Sequence, residues 1–235
     1  MAEADSGLPL ERRSFLSRMG FGVAALSTAA ASALPGRAEA AATAGWQPAA
    51  HALDDWFEVP NAKHRFVFDT TTPLAAGAAL GYANNFFAAN KSGYNLEPAD
   101  LAVVIVYRHF STPFAYTDAI WTKYGPGLSE ALEFTDPKTK QPLTKNIYNS
   151  GDYGFALPNF GITLDKIVQQ GGRFAVCDMA THFIAGLIAD KTKGDANAIY
   201  QELAQNLIPN AHLVPAGIVA VNRAQERGYA FSYVT

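Results

Sequence analysis

A single cysteine in 235 residues is the first constraint this sequence sets. It excludes an intrachain disulfide framework and a zinc site built from cysteines. No charge of one sign dominates: the formal net charge is −3 and Lys and Arg form no block. Nucleic acid is therefore not an expected partner. No Gly-x-Gly pattern follows the first predicted strand, where Thr70-Thr71-Thr72-Pro73 stands instead. A dinucleotide fingerprint is thus missing, and no cofactor is assigned. A nucleophile elbow is missing too, which leaves Ser-His-Asp catalysis unsupported. His51, His64 and His212 are too scattered to argue a metal cluster, and no internal repeat is found beyond residue 40.

What is present begins with an N-terminus unlike the rest. Glu11-Arg12-Arg13-Ser14-Phe15-Leu16 precedes a mild Ala/Gly-rich stretch, Met19 to Ala33, then Pro35 and Ala38-Glu39-Ala40. Adjacent arginines, a weakly apolar core and an Ala-x-Ala end resemble a bacterial twin-arginine export signal. Residues 1–40 are read as that signal, with cleavage after Ala40 and a periplasmic mature protein. Ser27, Thr28 and Ser32 interrupt a run already shorter than the roughly 20 apolar residues of a span, so no membrane span is expected in the mature form. Residues 41–60 read as a linker or strap, with Trp46, Trp56 and Phe57 suggesting that part of it docks. Residues 61–235 form the domain.

Across that domain strands and helices alternate. Lys63–Asp69 is a short strand, and Thr72-Pro73 starts a helix, Leu74–Asn90. Leu101–Tyr107 (LAVVIVY) is a β-branched run suited to a strand buried on both faces. Ser111-Thr112-Pro113 starts a second helix to about Tyr124, closed by Gly125-Pro126-Gly127. Ser129–Phe160 is irregular and rich in turn chemistry, read either as a lid or binding loop or as an inert surface insertion. A short helix, Ile162–Gln170, precedes Gly171-Gly172. Later come a helical stretch at Asp195–Leu207, a strand at His212–Val214, a helix at Pro215–Gly228 and a last strand at Tyr229–Val234. This alternation predicts an α/β fold: about five mostly parallel strands with helices on both faces.

The chain is organised around Gly171–Gly186, GGRFAVCDMATHFIAG. A glycine turn leads into a short strand that ends at Cys177, and a helix follows from about Met179. Ligands of open α/β sheets collect at strand carboxyl ends, and a helix N-terminus there favours a thiolate. The other reading is a small buried residue filling a strand–helix corner; both stand. A helix terminus contributes roughly 0.3–1 kcal/mol to an anion, so a cation is the natural supplement. Arg108 and His109 leave the carboxyl end of the Leu101–Tyr107 strand, which a parallel sheet would open onto the same edge. Asp178, adjacent and negative, acts against the thiolate. His182, five residues on, is read as structural. Asp118 shares a helical face with Trp121; it is read as solvated, or as orienting Arg108 or His109.

Gly172-Arg173-Phe174-Ala175-Val176-Cys177, Val214-Pro215-Ala216-Gly217-Ile218-Val219 and Gln225-Glu226-Arg227-Gly228-Tyr229-Ala230 together resemble the DsrE/DsrF-like family. The resemblance implies a flavodoxin-like three-layer fold and homo-oligomers. It also implies a persulfide carried at Cys177, exchanged with a sulfur donor or acceptor protein or with a small thiol. The insertion at 129–160 and the export signal are departures from the family's relay members. The residue reading and the resemblance lead to a thiol- or sulfur-handling protein with Cys177, Arg108 and His109 as its site. The alternatives are a binding module for a small ligand or partner, and a structural homo-oligomer, each with Cys177 only packed.

Overall fold

The computed structural model describes residues 47–235; the export reading and Trp46 lie outside the described residues. Five strands form one parallel sheet: β1 (His64–Thr70), β2 (Leu101–Tyr107), β3 (Arg173–Cys177), β4 (Ala211–Val214) and β5 (Ala230–Val234), in the order β4-β3-β2-β1-β5. The helices are α1 (Pro73–Tyr94), α2 (Asp118–Ala131), α3 (Leu164–Gln169), α4 (Asp178–Thr192), α5 (Ala196–Gln205) and α6 (Gly217–Glu226). The architecture is a three-layer, flavodoxin-like α/β fold.

Chirality decides the layers. From β1 through β4 the chain steps one way across the sheet, so right-handed crossovers keep every intervening helix on one face. Apolar residues of α1 to α5, such as Leu80, Ile120, Ile184 and Leu203, form the large core there with Val103, Ile105 and Phe174. The return from β4 to β5 runs the other way and places α6 on the second face. Its Ala220, Val221 and Ala224 cover Val67, Val104, Val106 and Ala175, helped by Phe57. Every residue of β2 is buried, as its unbroken apolar run requires.

Local signals set most boundaries. Thr72 Oγ1 accepts from Ala75 N and opens α1; Thr163 and Asp195 cap α3 and α5 in the same way. Gly171 and Gly228 stand at φ 85° and 77°, left-handed turns that favour glycine. The strap docks as its aromatics suggest: residues Ala52–Phe57 form a 3-10 turn, Phe57 is fully buried, and Trp56 stacks on His212 at 4.5 Å.

Two expectations need correction. Ser111-Thr112-Pro113 does not start an α-helix; His109–Ala115 is a 3-10 segment, and α2 begins at Asp118. Side chains take the carbonyls an α-helix would need: Trp121 Nε1 donates to Pro113 O, and Asn146 Nδ2 to Phe114 O and Tyr116 O. Nor does Gly125-Pro126-Gly127 end α2, which runs through to Ala131. Gly125 answers a close approach instead, since a Cβ there would collide with the Leu143 carbonyl.

That carbonyl belongs to the irregular segment, which begins after α2 and is anchored in the core at several residues while others, such as Phe155, stay exposed. Leu143, Ile147, Tyr148 and Leu157 are buried against α1 and α2. Tyr148 fits over Gly77 of α1, and its hydroxyl donates to Pro73 O at 2.7 Å. Asp118 accepts from Asn146 N at 2.7 Å, so it anchors this segment rather than orienting Arg108 or His109.

Candidate functional site

The strand register brings the site together. Tyr107 of β2 pairs with Val176 of β3, so the next residues, Arg108 and Cys177, are neighbours at the carboxyl edge. Side chains alternate across a strand, which puts Arg108 on the same face as Val104 and Val106, the α6 side. Cys177 shares that face with Ala175, as does Asp69 with Val67. The three functional groups thus lie on one face of three adjacent strands.

Asp69 is the member the sequence reading missed. Its carboxylate is 2% exposed and accepts from Arg108 Nε and Nη2, both at 2.8 Å, in a bidentate pair. The Arg108 side chain is 27% exposed. The hydrogen bond to Asp69 raises the guanidinium further above its ordinary value, against burial that would lower it. Arg108 is therefore not a free surface cation. Its aliphatic stem crosses Gly217, where a Cβ would fall 2.5 Å from Arg108 Cβ. Only glycine lets the start of α6 approach so closely. Ser111 fixes the turn from behind, its Oγ accepting from Arg108 N at 2.9 Å.

Cys177 is 7% exposed and is both the last residue of β3 and the N-cap of α4. Ala180 N lies 3.4 Å from its sulfur, within reach for a sulfur acceptor. Its carbonyl accepts from Thr181 Oγ1 at 3.0 Å, and Thr181 Oγ1 accepts from Tyr116 OH at 3.1 Å. Burial pushes the Tyr116 hydroxyl up, keeping it a donor. Asp178 does not face the sulfur's surroundings unpartnered: Tyr200 OH donates to it at 2.8 Å from α5. His182 stacks on Tyr200 at 3.6 Å and approaches Asp178 to 3.8 Å, in keeping with a structural role.

A cleft of about 290 Å³ opens above Cys177. Its position follows from topology. The chain leaves β3 for α4 on one face and leaves the adjacent β4 for α6 on the other, so their loops part and a crevice is left between them. Met179, Ala180 and Phe183 of α4 form one wall, and Ala216, Gly217 and Ile218 at α6 form the other. Arg108, His109 and Phe110 close the third side. His109 stands at φ 55°, exposed at the rim, its ring 4.3 Å from Phe110. Arg108 and Cys177 are brought together as neighbours; His109 joins them only as a wall. Tyr148, Tyr153 and Phe155 of the irregular segment line none of this cleft. The signal for Asp69 was available in the alternation of β1, which places it on the Val67 face, but its partner depended on strand order.

Among the described residues no group of three or more His, Cys, Asp or Glu could hold a metal ion, and no helix is long and apolar enough to cross a membrane. No family model matches the chain, and no curated protein matches it. Among solved structures, the protein of unknown function MTH1491 from Methanobacterium thermoautotrophicum is similar at 13% identity, over 73% of this chain and 99% of that one, with a TM-score of 0.37.

Proposed function

We propose that this chain handles sulfur through Cys177, accepting a sulfane sulfur and passing it on. The observation that supports the reading is the register of β2 and β3, which sets Cys177 beside Arg108 on the floor of the cleft at a topological switch point. The step balances without an oxidant. The Cys177 thiolate attacks the terminal sulfur of a persulfide R–S–SH, the S–S bond breaks, and R–S⁻ leaves with the bonding pair. Cys177 then holds S–SH, and attack by an acceptor thiolate on that outer sulfur returns it. The N-terminus of α4 supplies a positive potential beside the sulfur, and Arg108, held by Asp69, borders it. His109 borders the entrance. On this reading the protein belongs with the DsrE/DsrF-like proteins, acts in the periplasm after twin-arginine export, and works as a homo-oligomer with a sulfur donor or acceptor.

The burial of Cys177 and its capping contact favour the second reading, a binding module in which the thiol only packs. Intact-mass measurement separates the two. Full chain incubated with butyl hydropersulfide and then desalted should gain the mass of one sulfur, lost on adding dithiothreitol and not gained by Cys177→Ser. A chain that gains nothing while folded removes the sulfur-carrier reading and leaves the binding module.

A further inference from the structure

Resting on that reading of Cys177, we infer that the cleft selects sulfur compounds with a small, uncharged, apolar body, and discriminates against ionic thiols. Two observations carry this. The first is the lining: apart from Arg108 and His109, the walls are apolar, made by Phe110, Met179, Ala180, Phe183, Ala216 and Ile218. Met179, Phe183 and Ile218 are exposed although large and hydrophobic, and all three converge on one opening. Scattered single apolar residues need no explanation, but a rim of them around one nucleophile does.

The second is the charge balance. The Arg108 cation beside Cys177 is matched by the Asp69 carboxylate in a bidentate pair. The Asp178 anion accepts from Tyr200 and faces His182 on the α5 side. Arg108 and the rim His109 are the ionisable residues of the lining besides Cys177, and Arg108 is already paired, so an ionic substrate would lose water with little counter-charge in return. An apolar body gains from the same walls by burial. Size limits the class further. The cleft volume, about 290 Å³, lies at the small end of ligand pockets. A short alkyl or single-ring thiol suits walls of that extent.

Three methanethiosulfonates of similar length test this on the full chain: a butyl, a 2-sulfonatoethyl and a 2-ammonioethyl reagent. In each, the Cys177 thiolate attacks the sulfenyl sulfur, the S–SO₂ bond breaks, and methanesulfinate leaves. Rates are normalised to free N-acetylcysteine amide. The butyl reagent should be favoured about tenfold over both charged ones, the scale a hydrophobic pocket supports. Phe183→Ser should reduce that preference several-fold. Ile218→Asp, an acid in the first turn of α6 that suits the helix dipole, should place the ammonium reagent ahead of the sulfonate. Equal normalised rates overturn the inference, as does a folded Cys177 inert to all three or a preference unchanged in Phe183→Ser. The hydropersulfide loading experiment keeps the two readings apart. Apolar preference without sulfur loading sinks the carrier and leaves the apolar cleft, and loading without preference does the reverse.

Discussion

Asp69 and Arg108 hold the site's electrostatics in one pair, and that pair has structural consequences of its own. A buried carboxylate left without its cation, or a guanidinium left without its carboxylate, is strongly destabilising. Asp69→Asn should therefore cost about 3 kcal/mol, the lower end of the range for broken buried pairs, because Arg108 keeps some solvent. Urea denaturation would show this, and a loss below about 1 kcal/mol would mean that Arg108 finds another partner. Gly217 matters for the same reason: the stem of Arg108 occupies the space its side chain would fill. At this scale the surroundings of Cys177 are set by residues that no motif around it names.

At the scale of elements, the second face of the sheet is covered by α6 and by the strap, and the strap is the weaker cover. Trp56 stacks on His212, Phe57 fills the core, Tyr229 OH donates to Phe57 O, and Arg173 donates to the carbonyls of Trp56 and Glu58. Burial lowers the His212 imidazole below its ordinary value, and the nearby Arg173 cation lowers it further. The unfolded chain thus takes up this proton first as pH falls. The contribution is present in full above about pH 6.5, the unfolded value, and is lost as pH falls through the lower folded value. Urea midpoints should drop between pH 7.5 and pH 5, and His212→Gln should flatten that part of the profile. An unchanged slope in the variant would assign the pH dependence elsewhere. The irregular segment after α2 behaves differently. Its turns read as a lid, a binding loop or a surface insertion, yet Asn146 fastens it to the 3-10 segment at Phe114 and Tyr116, and Tyr148 fastens it to α1, by buried hydrogen bonds.

For the whole molecule, the reversal of direction after β4 does two things. It opens the crevice in which Cys177 sits, and it leaves the second face with a single helix. Phe231 and Tyr233 of the edge strand β5 lie on that face and remain exposed. An edge strand with apolar side chains and no covering helix invites a second copy. Light scattering of the full chain should give more than one chain per particle at micromolar concentration. Phe231→Lys, which puts a charge on the edge, should shift the particle toward one chain. A wild-type monomer across that range would refute assembly through this surface.

Sequence by itself determined what depends on a few neighbouring residues. The alternation of apolar runs made β2 a doubly buried strand and the fold a parallel α/β sheet. The hydroxyl cap at Thr72 and the glycine at 228 marked helix ends, since those interactions close within a few residues. The same local reading set Cys177 at a strand end and Arg108 at another. Tertiary structure decided the rest. That Asp69 pairs with Arg108, 39 positions away, depends on β1 lying next to β2. That Cys177 is Arg108's neighbour depends on register, and that the cleft opens between α4 and α6 depends on where the chain reverses. The 3-10 turn at His109–Ala115 and the continuation of α2 past Pro126 were set by side chains and backbone of the segment around Leu143–Tyr148. A helix end is written in its own turn of residues. A contact between distant strands is fixed only when packing selects one sheet order, and no local pattern carries that choice.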